Sequence, residues 1–561
     1  MTRHDTLAHI SARSNPSVLV IGGGINGISV FRELALNGVD VVLAEKADFC
    51  SGASAALSRM VHGGLRYLEN GEFKLVRESL LERDRLLANA PHYVRPLPTT
   101  VPIFSYFDGL ANGAFRFLKL TRKQSRRGAL VIKLGLTLYD VFTRGRGAMP
   151  PHKFHSRAQT LSNWPAMNPD ARASATYYDA WVSRPERLGL ELLQEGIGAG
   201  GLAINYANVA RDGAGNLVLH DTISNTQIKL APSLVVNATG GWIDLTNTAI
   251  GATNQPMMGG TKGSHLVVTN RELYDALAGN MIYYENEDGR ICIVFPYLGN
   301  VLVGSTDVRV DDPDTVTTGA DDQKYILQSL AVVFPKIKIS PEEIAYQFVG
   351  VRPLPTSDAA VTGAIPRDHF CEIVEGSPPT LCMIGGKWTT FRSFGALAAD
   401  MVFERLDAVR IVDTANRPIG GGKDFPTDFD GWIRNAAERS NLPQPRVANL
   451  LERYGSDAEK LLAIAGANDV IADHSPEELN WLISNEHVEK LSDLLLRRTT
   501  IGITGQLTND TIDASLAILA KAKCWNAAQA QAAREEFLIE LKTKHGIDRD
   551  ALAQRDHRIS A

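Results

Sequence analysis

The chain has 561 residues, 44% of them hydrophobic and 22% charged, and a net charge of −5. That composition is globular and excludes a disordered chain; the length is too great for one ordinary core, so two or three domains are expected. No apolar run approaches the roughly 18 residues of a spanning helix. The first fifteen residues contain no apolar signal core and read as a mobile tail. Five cysteines (Cys50, Cys292, Cys371, Cys382, Cys524) are scattered and never form Cys-x-x-Cys. They argue against a disulfide framework, a zinc site or an iron–sulfur cluster, and for a reducing compartment.

The clearest local pattern is SVLVIGGGINGISVFRELALNGVDVVLAEK, residues 17–46. Val18 to Ile21 is a short branched run of the buried parallel-strand type. Gly22, Gly24 and Gly27 then make G-x-G-x-x-G, with Asn26 inside it. Ile28, Phe31, Leu34 and Ala35 follow at helical spacing, and Asn37-Gly38 ends that helix. Val39 to Ala44 is a second strand, with Glu45 at its end and Lys46 beside it. Strand, glycines, helix, strand and terminal acid in this order predict a dinucleotide site. Backbone amides at the helix start meet a pyrophosphate, and Glu45 accepts from ribose hydroxyls.

Next comes SRMVHGGLRYLENGE, Ser58 to Glu72. The adjacent Gly63 and Gly64 are costly in regular structure and imply a close approach of backbone to something. Phe104 to Arg146 holds nine basic residues against Asp108 and Asp140, hence +7, which leaves −12 for the rest. It also carries seven aromatics. Such a mixture suits either a solvated basic face over packed rings or an anionic membrane surface. No nucleic-acid fold surrounds it, so no nucleic-acid partner is expected.

Leu234 to Trp242 reads as a strand entering a glycine turn at Gly240, and Leu381 to Thr390 repeats that pattern through Gly385, Gly386, Lys387 and Thr389. Between them His265–Val268, Ile291–Phe295 and Asn300–Gly304 are short β-like runs that suggest an antiparallel sheet. Arg417 to Gly422 is a plausible linker. Beyond about residue 425 the chain reads as helical; Ser475-Pro476-Glu477-Glu478 is a helix start. Nothing there looks catalytic.

Gly22–Gly27, His62–Glu69, Lys262–His265, Gly304–Asp307, Gly350–Leu354 and Gly385–Arg392, in this order, resemble the FAD-dependent, quinone-reducing glycerol-3-phosphate dehydrogenases. Tyr454-Gly-Ser456 and Leu496–Thr499 resemble that family's helical cap domain. The resemblance implies an α/β fold: a Rossmann-like FAD-binding domain of the glutathione-reductase/amino-acid-oxidase type, an antiparallel-sheet substrate domain and a helical C-terminal cap. The expected boundaries are 16–100 with 200–245 and 355–410 for FAD, 101–199 with 246–354 for substrate, and 425–561 for the cap. Two departures stand out. The run Ser51 to Ser58 has Ala55 and Leu57 where the family usually has hydroxyl side chains, leaving Ser54 and Ser58 for the cofactor. The segment 104–146 is more basic than usual.

The resemblance further implies oxidation of sn-glycerol 3-phosphate to dihydroxyacetone phosphate, with electrons passing through FAD to a quinone. A longer polyol phosphate, such as erythritol phosphate, is the alternative substrate. A flavoprotein that no longer turns over and an amine-oxidising relative fit less well with several cations in matching motifs. Gly63 and Gly64 would run along the flavin while Arg66 and Tyr67 reach the substrate. Arg352, held extended by Pro353, is the leading phosphate anchor; Lys387 would hold phosphate or stabilise reduced flavin, and Arg367 is a weaker third ligand. An imidazole suits removal of the hydroxyl proton: His265 is the expected base and His62 a flavin-side contact. Peripheral attachment to the inner face of the membrane from the cytoplasm is expected, with a homodimer as the candidate assembly. No metal is expected.

Overall fold

The computed structural model describes residues 1–64, 72–106, 132–133, 135–137, 139–140, 149–356, 368–466 and 471–560. The N-terminal residues are not a tail. Arg3–Ala12 is a helix, closed by a reciprocal capping box between Thr2 and Asp5. It buries Leu7 and Ile10 against Leu19, Val42 and Ile204, and Arg3 reaches Asp221 at 2.5 Å and Asn205 at 2.9 Å. Two apolar residues are too few to announce a helix by periodicity; tertiary anchoring makes it.

The branched run Val18–Ile21 lies at the centre of a six-stranded sheet, fully buried. It pairs in parallel with Leu234–Asn237 on one side and Val41–Ala44 on the other. Thr380–Gly385 and Leu202–Ile204 extend the parallel set, and the antiparallel strand His369–Val374 forms one edge. Helices Ile25–Leu36 and Phe391–Leu406 cover the sheet, so Phe31, Leu34, Phe394 and Val402 join one core with Val18, Val20 and Val236. Each such fully buried side chain contributes about 1.5–3 kcal/mol.

The second sheet has ten strands. Thr261–Val268 is its hub, antiparallel to both Asn300–Gly304 and Ile344–Arg352. Period-two alternation sends Leu266 and Val268 to one face, against Ile326, Leu330 and Val333 of the helix Ala320–Val333. Val267 and Leu302 point the other way, into a core shared with Leu494, Leu495 and Ile501 of the C-terminal part. The expected antiparallel sheet therefore holds with one exception: Met281–Glu285 pairs in parallel with Val94–Ile103. Two segments sit across the expected boundaries. Val94–Ile103 belongs to this larger sheet, and the helix Pro185–Gly198 packs its leucines on Ile25 and Ile28 of the first core.

The C-terminal part is helical, from Phe429–Ser440 to Arg549–Ser560. Asp493–Arg498 is a π-helical turn closed by Thr499 N–H donating to Leu494 O at 3.0 Å. Among the described residues no helix is long and apolar enough to cross a membrane.

Candidate active site

The glycine turn is built by close contact. Gly22 has φ +108°, and a Cβ there would lie 2.8 Å from Ala238 O. A Cβ on Gly27 would lie 1.9 Å from Gly22 O, so this glycine lets the helix sit on the turn. Gly24 is the N-cap and offers no side chain, which leaves the first-turn amides to other groups. Ser54 Oγ accepts from Ile25 N–H at 2.9 Å. Glu45 accepts from Gly23 N–H at 2.6 Å and from Ala47 N–H at 2.8 Å. Burial raises the Glu45 pKa, and those two amides oppose the rise.

A cavity of about 1080 Å³ opens on this turn. Gly22, Gly24, Asn26, Glu45 and Lys46 line it, as do Ser54, Ser58, His62 and Gly64. Gly240, Gly386, Lys387 and Thr389 line it from the strand ends of the same sheet, and His265 and Arg352 from the larger sheet. Gly27 and Gly63 lie behind the wall rather than on it. Arg66, Tyr67 and Arg367 fall outside the described residues.

At the larger sheet, Arg352 ends its strand with Nη1 donating to Asp307 at 3.0 Å and to Lys262 O at 3.2 Å. Its Nη2 donates to Ser305 Oγ and Thr306 O, both at 3.1 Å. A Cβ on Gly263 would lie 2.1 Å from Nη2, so this glycine makes the space that the guanidinium fills. The anchor expected from the sequence is thus already seated in an ion pair at the cavity wall. His265 is buried, stacked on Phe348 with ring centroids 5.0 Å apart, and its Nε2 is 2.8 Å from Ser58 Oγ. Gly304 leaves room for this ring: a Cβ there would lie 2.2 Å from His265 Cδ2. Burial, Arg352 and Arg59 push its pKa down to about 3. The imidazole is therefore neutral at neutral pH.

Lys387 follows Gly385 (φ +78°) and Gly386 (φ +102°) and donates to Ser79 Oγ at 3.1 Å. His62 donates its backbone N–H to Thr389 Oγ1 at 3.3 Å, which ties the two expected flavin-side stretches together. Lys46 pairs with Asp314 at 3.1 Å.

Sequence reasoning missed three groups. Arg59 is buried, pairs with Glu186 at 2.6 Å, and lines the cavity with it. Asp179 accepts from Gly63 N–H at 3.0 Å and from Tyr139 OH at 2.7 Å, so it fixes the glycine pair from behind. Arg497 brings the C-terminal domain to the cavity. Arg59 and Arg497 each sit in a stretch that the sequence singles out, Asp179 in none, and all three pairings span more than a hundred residues.

A model of the FAD dependent oxidoreductase family matches residues 17–392, and one described as the C-terminal domain of alpha-glycerophosphate oxidase matches 412–530. A glycerol-3-phosphate dehydrogenase of Synechocystis is 32% identical over 88% of this chain and 89% of its own. The chain belongs to the FAD-dependent glycerol-3-phosphate dehydrogenases. An aerobic glycerol-3-phosphate dehydrogenase of Staphylococcus aureus is 26% identical over 96% of both chains. The crystal structure of the Bacillus halodurans glycerol-3-phosphate dehydrogenase complexed with FAD shares the fold, with TM-score 0.74 at 22% identity, over 96% of this chain and 97% of that one. The cofactor of the dehydrogenase is FAD, and the cavity fits it. Its N-cap glycine caps none of the first-turn amides, of which Ser54 takes only that of Ile25, and Asn26 Oδ1 is buried with no partner among the described residues. Gly386 approaches the same side chain, where a Cβ would lie 2.9 Å from Asn26 Nδ2.

Proposed function

We propose that this dehydrogenase oxidises sn-glycerol 3-phosphate to dihydroxyacetone phosphate and passes the electrons to a quinone. One observation carries the reading: a single cavity is lined by the dinucleotide turn and by Arg352, Lys387 and His265. The word aerobic in the staphylococcal relative's name supports the quinone. FAD, when bound, supplies the acceptor for the hydride of the alcohol carbon.

The chain's own groups do the rest. The amides of Gly24 and Asn26 would hold the pyrophosphate, since those of Gly22, Gly23 and Ile25 are given to Ala44 O, Glu45 and Ser54, and Glu45 and Lys46 would meet the ribose side. Asn26, Ser54, His62, Gly64, Gly240, Gly386 and Thr389 shape the remaining wall. Arg352 and Lys387 supply the positive charge for the substrate phosphate. Both Nη groups of Arg352 already donate to Asp307, Lys262 O, Ser305 and Thr306 O, so the phosphate meets an oriented guanidinium and shares or displaces one of those partners. Ser58 Oγ, on the cavity wall, relays the substrate hydroxyl proton to His265 Nε2. A dianionic phosphate beside Arg352 offsets one of the two charges that depress His265, so substrate binding makes the base stronger.

Attachment to an anionic membrane surface rests on the +7 segment 104–146. Of its nine basic residues only Lys133 is described, and it is exposed. Tyr139 is buried beside Leu80 and Tyr177, so this ring is core rather than interfacial anchor.

The decisive experiment is anaerobic reduction of the oxidised protein by glycerol 3-phosphate or by an erythritol phosphate. Rapid bleaching of flavin absorbance by the former is expected; bleaching by erythritol phosphate alone would move the substrate to the longer polyol.

A further inference from the structure

Asp48 lies three residues beyond Glu45, at the end of the loop on the ribose side of the cavity. Its carboxylate is wholly buried. It accepts from Arg497 Nε at 2.5 Å, from Arg498 Nη2 at 2.8 Å, from Arg498 Nη1, and from Asn205 Nδ2 at 3.0 Å. Both arginines come from the π-helical turn of the C-terminal domain. Arg497 also donates to Asp493 at 2.7 Å, and Asp493 accepts from Tyr206 OH at 2.6 Å. Tyr206 closes the ring, since its N–H donates to Ala47 O at 2.8 Å, while Ala207 N–H donates to Glu45 O at 2.8 Å. Asp48, Tyr206 and Arg497 themselves line the cavity.

A buried charge cluster of this kind is a poor source of stability. Replacing such pairs by apolar residues is often neutral or favourable. What it supplies is geometry, because the Arg498 fork engages both oxygens of Asp48 and fixes the carboxylate plane. Burial works to raise the Asp48 pKa, but Arg498 and Arg497 together hold it well below the usual carboxylate range. The loop from Glu45 to Asp48 is thus gripped by residues 205–207 on one side and by two C-terminal arginines on the other.

We propose that Asp48, Arg497 and Arg498 are positioning residues for the adenosine half of FAD: the C-terminal domain clamps the Glu45 loop and so sets how tightly the cofactor is held. The proposal rests on the reading that places the ribose at Glu45, and is independent of the substrate. The test uses full-length wild type, Arg498→Lys and Asp48→Asn, each stripped of flavin and titrated separately with FAD and with FMN by fluorescence quenching. FMN keeps the ring system and one phosphate but lacks adenosine. The expected result is a rise of at least about tenfold in Kd for FAD, with Kd for FMN changing less than about twofold. Equal weakening of both flavins, the mark of a generally loosened fold, overturns the proposal; so does an unchanged Kd for FAD. Asp48→Asn keeps the side-chain volume and decides the matter should Arg498→Lys fail to fold. No substrate is present, so failure of the substrate reading leaves this result intact.

Discussion

Two glycines decide where the two central side chains of the site can stand. Gly263 and Gly304 have no backbone need to be glycine; what they provide is room for the Arg352 guanidinium and the His265 ring. Gly263→Ala should therefore displace Arg352 without removing its charge, raising KM for glycerol 3-phosphate while FAD content stays normal. Arg352→Ala should go further. Loss of a charge-assisted contact costs about 1.5–3 kcal/mol, roughly ten- to more than hundredfold in kcat/KM. An unchanged kcat/KM in a folded, yellow protein would remove Arg352 from the phosphate site. That His265, Arg352 and Lys387 stand on one cavity wall was legible because each sits in a short motif beside glycine or proline. Their partners were not. Asp307 and Ser305 lie more than forty residues from Arg352, and a buried carboxylate such as Asp179 looks like any other aspartate until the fold closes around it.

Among the elements, the βαβ unit was legible almost to the residue, because its glycines, helix and strands are contiguous and each has a local signature. Gly27→Ala tests that unit directly. A methyl group 1.9 Å from Gly22 O must push the helix off the turn, so the variant should purify with little or no FAD. The ratio of absorbance near 450 nm to that at 280 nm reads this, with circular dichroism as the control for folding. Val94–Ile103 shows the opposite case. It contains Pro96, Pro98 and Pro102, which argue against an interior strand, yet it lies between Ala173–Val182 and Met281–Glu285. The three prolines share one parity, so their missing donors fall along a single edge. One neighbour, Met281–Glu285, meets the strand only at Thr99 and Thr100. Composition alone hides such an arrangement. The N-terminal helix was equally hidden, since its stability comes from Arg3 and two buried side chains rather than from its own periodicity.

For the molecule as a whole, acid should be the weak point. His265 and His474 are buried, and burial first, then neighbouring arginines, push both pKa values down to about 3. The unfolded chain takes up these protons near pH 6.5 and the folded chain does not, so the stability they contribute is complete above that pH. It is lost progressively as pH falls toward about 3, at up to about 1.4 kcal/mol per pH unit for each histidine. Burial also pushes His487 and His545 down to about 4, so they add to the same loss. Urea unfolding at about pH 5.5 should give a lower stability than at about pH 7.5, and His474→Gln should shrink the difference by about 1.4 kcal/mol. The charge asymmetry makes a second global prediction. Sedimentation with anionic vesicles should be strong at low salt and weaker at high salt, at about 1 kcal/mol per basic residue near the surface. Glutamine at Arg122, Lys123, Arg126 and Arg127 should leave the protein in the supernatant with its dye-coupled activity intact.

The ion pair between Asp48 and Arg498 spans 450 positions, and translation turns that distance into waiting time. At about 5–20 residues per second, Asp48 leaves the ribosome roughly 20–90 s before its partner is made. Until then the loop would have to bury a carboxylate without its arginines, so it stays hydrated and open. Capture of the cofactor therefore belongs to the end of synthesis, after the last domain has emerged.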